Sequence, residues 1–128
     1  MLAVIDTNVL VSSLINPKGL PARVMDMVFS GEIKICYSSE IVTEYKDVLL
    51  RPKFNFDYDT VEEWLGCILS RGYETNPLPS TLEFIDESDR IFYNVARVFG
   101  ATLITGNPRH YPQQSFIVTP TEFFNEEQ

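Results

Sequence analysis

The sequence is short of basic charge: its 128 residues hold 10 lysines and arginines against 18 aspartates and glutamates, a formal net charge of −8. A protein that holds nucleic acid by bulk charge presents a basic footprint, so that mode is excluded. Acid gathered in one place needs cations, however, and bound cations meet phosphate. Histidine occurs once, as His110, and no serine–histidine–aspartate arrangement assembles around it. There is no G-x-x-x-x-G-K loop to cradle a nucleotide. The two cysteines, Cys36 and Cys67, form no CxxC pair and no metal-type spacing with His110. They read as reduced structural thiols of a cytoplasmic protein. No apolar run approaches the ~20 residues that span a bilayer, so no membrane partner is expected. The opening Met1-Leu2-Ala3-Val4-Ile5-Asp6 has neither a basic segment nor a small-residue cleavage site, and no signal peptide is expected.

What is present is ordinary for a globular chain, with 45% hydrophobic and 22% charged residues. The length suits one domain over residues 1–128. Short apolar runs alternate with helical patterns. Leu2–Ile5 reads as a buried strand ending at Asp6-Thr7-Asn8. A short helix over Val9–Leu14 stops near Pro17, and Pro21 suits the first position of a helix that Gly31 ends. Ile33–Tyr37 is a second strand. Ser38 or Ser39 caps a helix running to about Leu50, where Arg51-Pro52 stops it. Asp57 or Asp59 opens a helix with Val61, Trp64, Leu65 and Ile68 inward, ended by Gly72. Asn76–Ser80 is loop by composition. Ser88 caps a helix from Asp89 to Phe99, with Gly100 behind it. Ala101–Thr105 and Phe116–Val118 are a third and a fourth strand, and Pro120 starts a terminal helix. Strands alternating with helices predict a parallel sheet covered on both faces, with ligands outside the carboxyl ends of its strands. Asp6 and Asn107 fall at that edge.

Three acidic groups stand out. Asp6 ends a buried strand, and reads equally as a cap for the following helix or as a site carboxylate. Glu40, Glu44 and Asp47 share one helix side, which is ordinarily a solvated face. Glu44 directly precedes Tyr45 of the apolar stripe, at the boundary of core and surface. Asp86, Glu87 and Asp89 surround a helix start, where acids complement the helix dipole by about 0.3–1 kcal/mol each. Yet Asp89 opens an unusually apolar helix, Ile91-Phe92-Tyr93 then Val95-Ala96, which carries its N-terminus into the fold. Hard cations such as Mg²⁺ or Mn²⁺ take oxygen ligands, and a carboxylate cluster left empty is costly through mutual repulsion.

With these pieces in order, the chain resembles the PIN-domain family, and within it the VapC-like toxin components of type II toxin–antitoxin pairs. The resemblance rests on Val4–Leu10; on Ser39–Tyr45 with the later Leu50–Phe54; on Asp86–Phe92 followed by Ala96; and on Leu103-Ile104-Thr105-Gly106-Asn107. It covers nearly the whole chain. It implies a three-layer α/β/α sandwich with a central parallel sheet. It also implies cleavage of single-stranded RNA with Mg²⁺ or Mn²⁺, a cognate antitoxin partner, and a homodimer or higher assembly. It carries catalytic and metal-holding roles onto Asp6, Glu44 and Asp89, with Asp86 as a helper. Thr7, Asn8 and Ser12 look like supporting or phosphate contacts. Many family members carry a fourth acid after the Thr-Gly pair, where this chain has Asn107. An amide oxygen brings no charge, which favours a single tightly held ion, or a second ion recruited only with substrate. Arg109 and His110 lie just beyond and can reach a phosphate, although a lone loop histidine also reads as surface decoration.

Two other readings use the same residues. A PIN-like module can hold metal or RNA without cutting, with Asn107 as the mark of lost activity. Alternatively, Asp6 can serve as a phosphoacceptor, but such sites need a lysine near a late strand end and the chain has none after Lys53.

Overall fold

The structure, a computed structural model, describes residues 1–78 and 86–127, and for residues 126 and 127 the backbone only. Pro79 and Ser80 of the expected loop lie outside the described residues.

Five short strands form one parallel sheet: β1 (Leu2–Ile5), β2 (Lys34–Tyr37), β3 (Tyr73–Glu74), β4 (Thr102–Ile104) and β5 (Ile117–Val118), in the order β3-β2-β1-β4-β5. Ala3 pairs with Ile35 on one side and with Thr102 on the other, and Leu103 pairs with Ile117. Ala3, Val4 and Ile5 are fully buried, as expected for a central strand covered on both faces. The helices are α1 (Thr7–Ile15), α2 (Leu20–Ser30), α3 (Ser39–Leu49), α4 (Tyr58–Leu69), α5 (Glu87–Phe99) and α6 (Pro120–Glu127). They flank the sheet in the predicted α/β/α arrangement. Helix α5 packs across β2, β1 and β4, while α4 packs on β2 and α6 on β5. The buried side chains of α5, Phe92, Tyr93, Val95 and Ala96, join the strands in one core.

Strand order reverses beside β1. The chain first moves from β1 to β2 and β3, then returns to place β4 on β1's other side. Such a switch point leaves a crevice at the carboxyl ends of the two central strands. The ends of β1 and β4, and with them Asp6 and Thr105, meet there.

Three boundaries depart from the sequence reading. A fifth strand, β3, pairs with β2. Two exposed residues, Tyr73 and Glu74, carry no buried alternation to announce it. Helix α4 ends at Leu69, so Gly72 is not its terminator; a Cβ at Gly72 would stand 2.3 Å from the Ile35 carbonyl oxygen. Gly72 is thus required by the close approach of the chain to β2. Helix α5 starts at Glu87 and is capped by Asp86, whose carboxylate accepts from the Ser88 N–H at 2.9 Å, so Ser88 is not the cap. Asp89 is therefore the third helical residue rather than the first.

Candidate active site

Asp6 occupies the N-cap position of α1, but its side chain caps nothing. Its Oδ2 accepts two hydroxyl hydrogen bonds instead, from Thr105 Oγ1 at 2.9 Å and from Tyr111 at 2.8 Å. These two bonds tie Asp6 to the end of β4 and to the turn beyond it. Burial raises the carboxyl's pKa above the ordinary value. The Tyr111 and Thr105 hydroxyls, followed by the backbone N–H groups of Asn8 and Thr7, pull it back toward the charged form. Both hydroxyls act on the same oxygen, so Asp6 is held in one orientation.

The neighbouring backbone is tied across the switch point. Asp6 N–H donates to the Ile104 carbonyl at 2.9 Å. Asn8 Oδ1 accepts from Gly106 N–H at 2.9 Å, and Asn8 Nδ2 lies 3.5 Å from Thr105 Oγ1. Asn8 is thus a brace between α1 and the loop after β4. Thr7 Oγ1 is buried without a hydrogen-bond partner among the described residues.

Asp89 approaches from the first turn of α5. It is 8% exposed. Burial, then the charges of Asp6 and Asp86, push its carboxyl up to about 6 against the partial relief of His110. Asp89 Oδ2 lies 3.2 Å from His110 Nδ1, an ion pair when the imidazole is protonated, and makes no hydrogen bond of regular geometry among the described residues. A buried carboxylate oxygen left in that condition is expensive, commonly about 1–3 kcal/mol or more.

Glu44 reaches the rim from α3. The adjacent Tyr45 is fully buried, and its hydroxyl donates to the carbonyl of Ile5 at the end of β1. That bond fixes α3 beside the strand that delivers Asp6. The Glu44 carboxyl is half-buried and raised, first by burial and then by Asp47, with Asp6 and Asp86 adding repulsion and Arg51 opposing it. Asp86 is exposed, and the Ser88 backbone N–H holds its pKa low. Asp6 and Asp86 thus press their charge on both Glu44 and Asp89, although only Asp6 and Asp89 of these four are buried.

The other expected site residues are less engaged. Asn107 is exposed; its backbone N–H donates to Thr105 Oγ1 at 3.0 Å, and its side chain caps nothing. Arg109 is exposed on the 3-10 turn Pro108–His110. Ser12 is exposed on α1. The sequence reading passed over Tyr111. No periodicity marks it, and its only signal is its position, just after a proline turn that follows a central strand. It likewise gave His110 no part beside Asp89.

Among the described residues, no three histidine, cysteine, aspartate or glutamate side chains form a ready-made metal cluster. The donor chemistry nevertheless fits a hard cation. Two buried carboxylates face each other's field, one has an oxygen without a regular hydrogen bond, and Glu44 and Asp86 lie at the rim. Two protein carboxylates completed by water and substrate phosphate is a common way to hold Mg²⁺.

Comparison with known proteins agrees with this geometry. Residues 3–109 match the model of a PIN domain. An uncharacterized protein of Methanocaldococcus jannaschii is 35% identical over 107 residues, covering 81% of this chain and 69% of that protein. The chain belongs to the PIN-domain family. Among solved structures, a chain in the crystal structure of VapBC2 from Rickettsia felis, bound to a DNA fragment from their promoter, superposes with a TM-score of 0.61. The match covers 93% of this chain and 97% of that one at 16% identity, and it shows a VapC-like fold.

Proposed function

We propose that the protein is a Mg²⁺- or Mn²⁺-dependent endoribonuclease that cleaves single-stranded RNA, acting in the cytoplasm as the toxin of a toxin–antitoxin pair. The observation that carries this reading is the buried pair Asp6 and Asp89 at the switch point, with the charge of Asp6 pressing on Asp89 and a buried Asp89 oxygen without a regular hydrogen bond. Asp6 and Asp89 are the residues to hold the cation, with Glu44 completing its outer side. The cation, when bound, supplies Lewis-acid polarisation of the phosphate and an activated water.

The chain's own residues have separate tasks. Thr105 and Tyr111 orient Asp6. Asn8 holds the loop after β4 against α1. Glu44, at the rim and raised in pKa, is suited to orient or accept a proton from an attacking water. Arg109, exposed beside the crevice, is free to meet a backbone phosphate. No covalent protein intermediate is needed. The fold shared with a chain of VapBC2 supports an antitoxin as protein partner.

The exposed Asn107 favours a second reading, a PIN domain that binds metal or RNA without cutting. Incubation of labelled single-stranded RNA with Mn²⁺ separates the two. We expect metal-dependent cleavage that EDTA abolishes and Asp6→Asn lowers by a factor of about 10² or more. Metal binding with no cleavage across unrelated RNAs would leave only the binding module.

A further inference from the structure

Among the described residues, His110 is the basic side chain seen in contact with a buried acid of the cluster. Among the other basic residues near the cluster, Arg51 faces Glu44 and bonds Asp47, while Arg90 bonds Glu87 on the first turn of α5. His110 alone opposes the charges of Asp89 and Asp86. Its Nδ1 lies 3.2 Å from Asp89 Oδ2, the buried oxygen that has no regular hydrogen bond. The imidazole is 42% exposed and rides on the short turn Pro108–His110, closed by His110 N–H donating to the Asn107 carbonyl at 3.1 Å. The next residue, Tyr111, is buried and anchored on Asp6. The strap is therefore fixed at Tyr111 and open at His110.

We propose that His110 is a placeholder: its imidazole occupies the face of Asp89 that a divalent cation takes, and the two exclude one another. This rests on the cation reading given above. Geometry supports displacement over joint ligation. The ring is 42% exposed, and its solvent-open side gives it somewhere to go. Asp89 also has strong reason to keep a partner at all times, since Asp6 and Asp86 both press negative charge on it. The histidine lowers that repulsion before a cation arrives, and must be expelled when it does. Cation binding is thereby weakened by the strength of the contact it replaces. The freed imidazole is delivered beside Arg109, where an RNA phosphate would pass.

The test compares Mn²⁺ affinity of the full chain by calorimetry, without RNA, in wild type, His110→Ala and His110→Gln. A placeholder predicts roughly two- to tenfold tighter binding in His110→Ala, the span expected for losing a competing half-exposed ion pair. His110→Gln, which keeps a side-chain donor, should fall between. Weaker or unchanged binding in His110→Ala would overturn the proposal, weaker binding making His110 a ligand instead. A second readout uses the fact that the chain has a single histidine. Its ring proton signals should move on adding Mg²⁺ with the same midpoint as the heat of Mg²⁺ binding, and static signals would contradict displacement. If Mn²⁺ binds and expels His110 while RNA stays uncut, the nuclease reading fails and the placeholder stands. If RNA is cut while affinity ignores His110, the placeholder alone falls. If no variant binds Mn²⁺, both fall.

Discussion

A buried carboxylate is informative in proportion to what it costs, and Asp89 costs most clearly here. Its carboxyl is raised from 3.8 to about 6, chiefly by burial and then by Asp6 and Asp86. Between those values the folded chain holds a proton that the unfolded chain releases, so folding stability falls as pH rises through the interval. Above it, the full penalty of an ionised buried acid is present. In EDTA at about pH 7.5, Asp89→Asn should be more stable than wild type by roughly 1–3 kcal/mol, with the gain shrinking as pH is lowered toward 4. Adding Mg²⁺ should raise the wild-type melting temperature and leave the variant's nearly unchanged, because a ligand stabilises only the fold it binds. Thermal melts across that pH range check both points, and a variant less stable than wild type in EDTA would show that Asp89 is a structural acid. The sequence singled out Asp6, Glu44 and Asp89 because each sat against apolar residues; of these, Asp6 and Asp89 are buried and Glu44 is half-buried. It had no means of finding Tyr111 and Thr105 as the pair of donors on Asp6, since hydrogen bonds across 105 and 99 residues leave no local pattern.

At the level of elements, strands β1 and β4 and helices α2, α3 and α6 could be read from apolar runs, caps and prolines. The start of α5 could not be placed so simply, because Asp86 and Ser88 both have capping chemistry and only the Ser88 N–H bonded to Asp86 decides it. That choice matters to the site. With Asp86 as cap, Asp89 lies within the first turn and is carried inward, while Asp86 stays in solvent. Gly72 is the second such case. Read as a helix terminator, it is instead the point where the chain passes against Ile35 on its way to β3. Gly72→Ala should cost about 1–3 kcal/mol by overpacking against backbone that has no room to yield. Gly66→Ala is the matched control: its added methyl meets nothing within 4 Å, and an alanine within α4 is the better helix former by about 1 kcal/mol. Chemical denaturation of the two variants should therefore give shifts of opposite sign, and equal shifts would mean that β3 does not press on β2 as described.

For the whole molecule, net charge and fold pull in opposite directions, and the site is where they are reconciled. A chain of net charge −8 repels RNA at long range, yet a parallel sheet with its strand order reversing at β1 concentrates acid at one crevice. On the proposed function, a cation bound there would turn that acidity into a local point of attraction for phosphate. The fold class was legible because strand–helix alternation leaves few alternatives. The site was legible only as three acidic stretches, since their convergence depends on the sheet order and on the Tyr45 bond to the end of β1. The most direct test is a crystal structure of the full chain grown with Mn²⁺. The account predicts an anomalous peak bonded to carboxylate oxygens of both Asp6 and Asp89 and absent from Asp6→Asn. Saturating Mn²⁺ that leaves this crevice without a peak, or that binds only at some other surface, would contradict it.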